Sequence, residues 1–93
     1  MASEVRNNSE RSRYELVLDG ELIGIADYRH LGGATVFPHT EIRPALRGRG
    51  LGAELVRGAL DDVRTTGRQV VAQCWYVAEF IDEHPQYADL VAS

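Results

Sequence analysis

From Arg13 to Leu18 apolar and polar positions alternate, with Tyr14, Leu16 and Leu18 on one face, which predicts a strand. Asp19-Gly20 is a hairpin turn signal. Glu21 to Tyr28 reads as the returning strand, although Leu22, Ile23, Ile25, Ala26 and Tyr28 break strict alternation. Gly32-Gly33 ends a second turn, and Ala34 to Ile42 forms a third strand. Pro38 inside it predicts an edge, a bulge or a local break in pairing. The period then changes. Leu51, Leu55, Val56, Ala59, Leu60 and Val63 form one helical stripe across residues 51–64, and Gly67 stops it. Gln69 to Cys74 is short, apolar and β-branched, the pattern of a buried strand. Tyr76 to Glu83 predicts a second helix, stopped by Pro85, with a last turn or two over residues 86–92. The order is βββ–α–β–α, an α+β or α/β chain that opens on an antiparallel meander. Residues 1–12 are expected to be a flexible leader, frayed or a short strand, and residues 13–93 a single domain.

Composition narrows the class. Ninety-three residues hold one small domain. The net charge of −4 argues against a general nucleic-acid binder. One cysteine, Cys74, excludes an internal disulfide and a cysteine-based zinc site, and His30, His39 and His84 are too far apart for a local metal motif. No apolar run reaches the length of a membrane span, and the polar start lacks the apolar stretch of a signal peptide. A cytoplasmic protein is therefore expected, with no membrane, metal or nucleic-acid partner. All ten basic residues are arginine.

The charge is unevenly placed. Residues 43–57 hold Arg43, Arg47, Arg49 and Arg57 against Glu54 alone, a net of +3 that leaves −7 for the rest. Gly48, Gly50 and Gly52 fall in the same stretch, at the start of the predicted helix. Free N–H groups at a helix start, the helix dipole and forked arginine donors all favour an anion. A Walker loop is excluded because the chain has no lysine. Gly48-x-Gly50-x-x-Ala53 matches the relaxed dinucleotide fingerprint, but it follows a meander rather than the first strand of a βαβ repeat.

Arg47-Gly48-Arg49-Gly50-Leu51-Gly52 resembles the Gln/Arg-x-x-Gly-x-Gly/Ala pyrophosphate signature of the GNAT N-acetyltransferases. Three further stretches resemble their short stand-alone YjdJ-type branch. These are His39-Thr40-Glu41-Ile42-Arg43-Pro44, Val70 to Val77 around Cys74, and His84-Pro85-Gln86-Tyr87-Ala88-Asp89-Leu90-Val91. The likeness runs over about residues 13–91. It implies a minimal GNAT fold, a mixed and mainly antiparallel sheet whose central strands splay apart, with acetyl-CoA in the gap. It makes cofactor-binding residues of Ile42, Arg43, Arg47, Gly48, Arg49, Gly50, Leu51, Gly52 and Tyr76. The strand ending at Ile42 would meet the pantetheine amides, and the glycine loop the pyrophosphate.

The implied reaction is direct attack of an amine on the thioester, so a base must take a proton and a donor must meet the oxyanion. The resemblance places the oxyanion donor at a backbone N–H near Ile42. His39 and Glu41 stand two apart on one strand and share a face. Histidine as a residue type suits a base near neutral pH, whereas a carboxylate serves there only when burial disfavours its charge. Otherwise His39 is a hydrogen-bonded sheet histidine and Glu41 an arginine's partner. Cys74 stands where the short branch carries a cysteine. It is either an active-site group, as proton donor or transient nucleophile, or a buried small hydrophobe. The tyrosine that larger members place on the following helix is replaced by Phe80, Ile81 and Asp82, which puts the proton donor to the leaving thiolate in doubt.

The two-residue turn at Asp19-Gly20 leaves no room for the helices that cover the acceptor site in larger members, so that side is open or covered by a second subunit, the chain being a monomer or a homodimer. Glu79, Asp82, Glu83 and Asp89, with no arginine among residues 76–93, would favour a cationic amine, either a protein lysine or a small polyamine. The expected activity is acetyl-CoA-dependent N-acetylation. The alternatives are a non-catalytic acyl-CoA-binding or sensor module, and an interaction domain that uses its arginines on an acidic partner.

Overall fold

The computed structural model describes residues 2–92. In chain order it contains β1 (Ser3–Asn8), β2 (Arg13–Leu18), β3 (Glu21–Leu31), β4 (Ala34–Ile42), α1 (Leu51–Thr66), β5 (Gln69–Ala72) and α2 (Trp75–Glu83), with short 3₁₀ turns at Ser9–Arg11, Pro44–Leu46 and Pro85–Leu90. The five strands form one sheet in the order β1-β2-β3-β4-β5. Neighbours are antiparallel except β4 and β5, which run parallel with α1 as the crossover. No helix among the described residues is long and apolar enough to cross a membrane.

Residues 1–12, expected as a flexible leader that is either frayed or a short strand, take the strand alternative over Ser3–Asn8, which forms edge strand β1 and corrects the flexible reading there. It pairs with β2 along its whole length, from Ser3 opposite Leu18 to Asn8 opposite Arg13. Val5 fixes it from the side, because Gly58 of α1 lets the helix come close. A Cβ on Gly58 would lie 2.6 Å from that of Val5. The observed order is thus ββββ–α–β–α.

Local chemistry accounts for the hairpins. Asp19 and Gly20 both take positive φ, 50° and 84°, the geometry of a two-residue turn. The broken alternation in β3 is a bulge. Leu16 pairs with Gly24 and Val17 with Leu22, so Ile23 is the extra residue and turns into the core while Leu22 stays exposed. A second irregularity spans Phe37-Pro38 of β4, where Pro38 was expected to disturb pairing.

Both helices lie on one face of the sheet. The stripe Leu55, Val56, Ala59, Leu60 and Val63 of α1 is buried against Tyr14, Leu16, Ala26, Tyr28 and Phe37, with Val77, Phe80 and Ile81 of α2. Gly67 closes α1 at φ 75°. No helix covers the other face. There the Glu15 carboxylate accepts from Arg13 Nε at 2.8 Å, Asn8 Nδ2 at 3.0 Å and Arg6 Nε at 3.2 Å. Burial opposes ionisation of Glu15, but these donors outweigh it and hold its pKa below the ordinary value.

Candidate active site

The parallel ladder between β4 and β5 is short. It runs from Ala34–Gln69 to Phe37–Ala72, whereas β4 continues to Ile42. β5 therefore ends at Ala72, two residues before the expected Cys74. The Cys74 N–H donates to the Phe37 carbonyl at 2.8 Å and closes the vertex, and the chain turns into α2. Beyond the vertex the two strands part. The gap is a cleft of about 740 Å³, with Pro38 to Ile42 on one wall, Gln73 to Tyr76 on the other, and the loop and helix start at Leu46–Gly52 across its far end.

That end is built for an anion. Gly48 and Gly50 take positive φ, 82° and 77°, which glycine adopts without strain. Gly50 caps α1, and no side chain caps the helix. The first helical N–H with a backbone partner is that of Glu54, donating to the Gly50 carbonyl at 3.2 Å. The N–H groups of Leu51, Gly52 and Ala53 precede it, the ordinary unsatisfied donors of a helix start. Arg47 lines the cleft beside them. Gly52 has a different task. A Cβ there would lie 2.5 Å from the Tyr76 hydroxyl, so its absence lets Tyr76 pack on the first turn of α1. Burial first, then the nearby Glu79 and Glu83 carboxylates, raise the Tyr76 pKa, so its phenol keeps its proton at neutral pH.

Strand alternation sends His39 and Glu41 to the uncovered face, since their register partners Asp27 and Ile25 alternate with the core residues Ala26 and Tyr28. His39 Nε2 and Glu41 Oε2 are 3.7 Å apart, with side chains 56 and 59 % exposed. The burial that a Glu41 base requires is absent, which leaves His39 as the stronger candidate. Cys74 is half-buried, lining the cleft while packing against the core, so it combines both expected positions.

The cleft thus gathers His39, Glu41, Ile42, Arg47, Gly48, Gly50, Leu51, Gly52, Cys74 and Tyr76. Two expected residues do not line it. The Arg43 guanidinium turns away to the Glu21 carboxylate and the Leu22 carbonyl, and its N–H is held by the Ile23 carbonyl at 2.8 Å. Arg49 is exposed outside the lining. Asp89 leaves the expected acidic set because Arg64 holds it in a two-pronged pair at 2.8 and 3.0 Å. Thr40 and Trp75 are lining residues that the sequence reading missed. Trp75 is the chain's lone tryptophan and stands 72 % exposed at the cleft.

A four-plus-one sheet that splays over a glycine-capped helix is the architecture of an acetyltransferase. Residues 13–90 match the GCN5-related N-acetyl-transferase family. The chain belongs to this family of enzymes, whose acetyl donor is acetyl-CoA. Its relatives include Protein NATD1 of Danio rerio, 31 % identical over 91 residues that cover 94 % of this chain and 83 % of the relative. The fold is shared with the solution structure of a GCN5-like N-acetyltransferase candidate from Staphylococcus aureus. There the TM-score is 0.73 at 16 % identity, over 97 % of this chain and 88 % of that one. It is shared too with N-acetylglutamate synthase from Neisseria gonorrhoeae, complexed with coenzyme A and N-acetyl-glutamate. In that case the TM-score is 0.62 at 18 % identity, over 84 % of this chain and 22 % of that one.

Proposed function

We propose that the cleft between β4 and β5 holds acetyl-CoA and that this chain passes the acetyl group to an amine. The observation that carries this is the parting of β4 and β5 after Phe37–Ala72, with an uncapped helix start at the open end. The donor set fits the ligand. The N–H groups of Leu51, Gly52 and Ala53, with Arg47, take the pyrophosphate. The edge of β4 that β5 leaves free meets the amides of the pantetheine arm and offers N–H groups to the oxygen on which charge develops. The thioester supplies the activated acetyl group.

His39 Nε2 takes the proton from the incoming amine, directly or through a water, on the uncovered face. Cys74, at the vertex, serves the acetyl end, as acid to the departing thiolate or as a transient acetyl carrier. Arg43 is left without a ligand role, its backbone N–H and carbonyl being engaged by Ile23 and Leu46, and Arg49 acts through long-range charge. The acceptor is a cationic amine, a protein lysine or a polyamine; Glu79, Asp82 and Glu83 of α2 lie on the helix-covered side and act on it only through long-range charge. The open acceptor side also favours a second reading, a module that binds acyl-CoA without transfer.

Thiol release from acetyl-CoA, measured against a lysine peptide and spermidine, separates the two. Turnover in the wild type with a His39→Ala loss of roughly 10²–10³-fold in kcat supports the enzyme. In that variant KM for acetyl-CoA stays near the wild-type value. Binding with no turnover of either amine supports the second reading. Incubation with acetyl-CoA alone then distinguishes the roles of Cys74. A carrier leaves an acetylated protein in the mass spectrum that Cys74→Ala lacks, and a proton donor leaves none.

A further inference from the structure

Thr40 faces the opposite way from His39 and Glu41. Its register partner is Ala26, a core residue, so its side chain lies on the helix-covered side of β4. It lines the cleft. Its Oγ1 is buried without a hydrogen-bond partner, and it is the one such side-chain atom among the described residues. A buried, unsatisfied hydroxyl is costly, and valine would fill the same space on a strand without that cost. No described residue supplies a partner, and the oxygen is buried from solvent.

The cleft is the remaining source. Threonine has more than one accessible χ1 well, so its hydroxyl can reorient to meet a partner that enters the cleft. The phosphate end is already served by Leu51, Gly52 and Arg47, and the vertex by Cys74. Thr40 stands between them, two residues before Ile42 and three after Phe37. A hydroxyl both donates and accepts, which suits either side of an amide.

We propose that Thr40 is a ligand-binding residue whose hydroxyl bonds the amide-bearing arm of CoA. It grips the arm from the helix side and leaves the opposite side free for His39 and the acceptor. The proposal rests on the cleft reading given above. The test uses free CoA, so that binding is separated from chemistry. Calorimetry on the wild type, Thr40→Val and Thr40→Ser is paired with thermal unfolding of each protein without ligand. Thr40→Val is expected to raise the Kd for CoA about 5- to 10-fold, one ordinary hydrogen bond, and Thr40→Ser to stay within about twofold of wild type. Without ligand, Thr40→Val is expected to melt at or above the wild type. A merely structural threonine would move both readings in the same direction. Thr40→Val binding CoA as tightly as wild type, or losing affinity and melting temperature together, overturns the proposal and leaves the cleft reading standing. Failure of the wild type to bind CoA removes both.

Discussion

Gly50→Glu is expected to abolish acetyl-CoA binding, with Kd rising at least about 100-fold, some 2.8 kcal/mol or more. Two effects combine. Gly50 sits at φ 77°, where a residue with a Cβ is strained by roughly 1–2 kcal/mol. The new carboxylate also stands beside the N–H groups of Leu51 and Gly52, where an anionic ligand needs them, and like charges so placed cost several kcal/mol. The fold should survive. Nothing lies within 4 Å of a Cβ built on Gly50, and a negative charge at the start of α1 interacts favourably with the helix dipole. Gly50→Asn is the control, because asparagine tolerates this backbone without adding charge, and it should retain most of the affinity. Calorimetry with a melting curve for each variant checks both statements.

Phe37→Ala is expected to have the largest effect on stability, about 3–5 kcal/mol. Phe37 is 1 % exposed and packs among Tyr14, Tyr28, Val56 and Val77. It is also the last residue of β4 paired with β5, and its carbonyl receives the Cys74 N–H. In a domain of this size each kcal/mol shifts Tm by about 4–8 °C, so a fall of roughly 12–40 °C should appear in a thermal scan. The loss should reach the site too, since the Phe37 carbonyl holds the Cys74 N–H at the vertex of the cleft. Acetyl-CoA should bind more weakly even at temperatures where the variant stays folded.

The elements readable in the sequence were those with local causes. Asp19-Gly20 carries its own turn, Gly67 its own helix stop, and the α1 stripe its own period. Strand β1 was legible only as one of two alternatives because Val5 is its one apolar residue, and its reason to be a strand is pairing with β2. The glycine loop was legible as an anion site, yet the task of Gly52 was not, because it depends on Tyr76, twenty-four positions away. Arg43 read as a cofactor residue from its neighbours on the chain. Its actual partner, Glu21, comes from the adjacent strand. Thr40 gave no signal, since an unsatisfied hydroxyl exists only once the surrounding core is built.

The ligand is expected in the gap beyond Phe37–Ala72. The most direct measurement is an amide NMR titration of isotope-labelled protein with acetyl-CoA. Shifts are expected at Gly48, Gly50, Leu51 and Gly52, along Thr40 to Ile42, and at Cys74 and Tyr76, while Ser3 to Leu18 stays still. Saturable binding that leaves Gly50, Thr40 and Cys74 unmoved, or no binding at all, would contradict it.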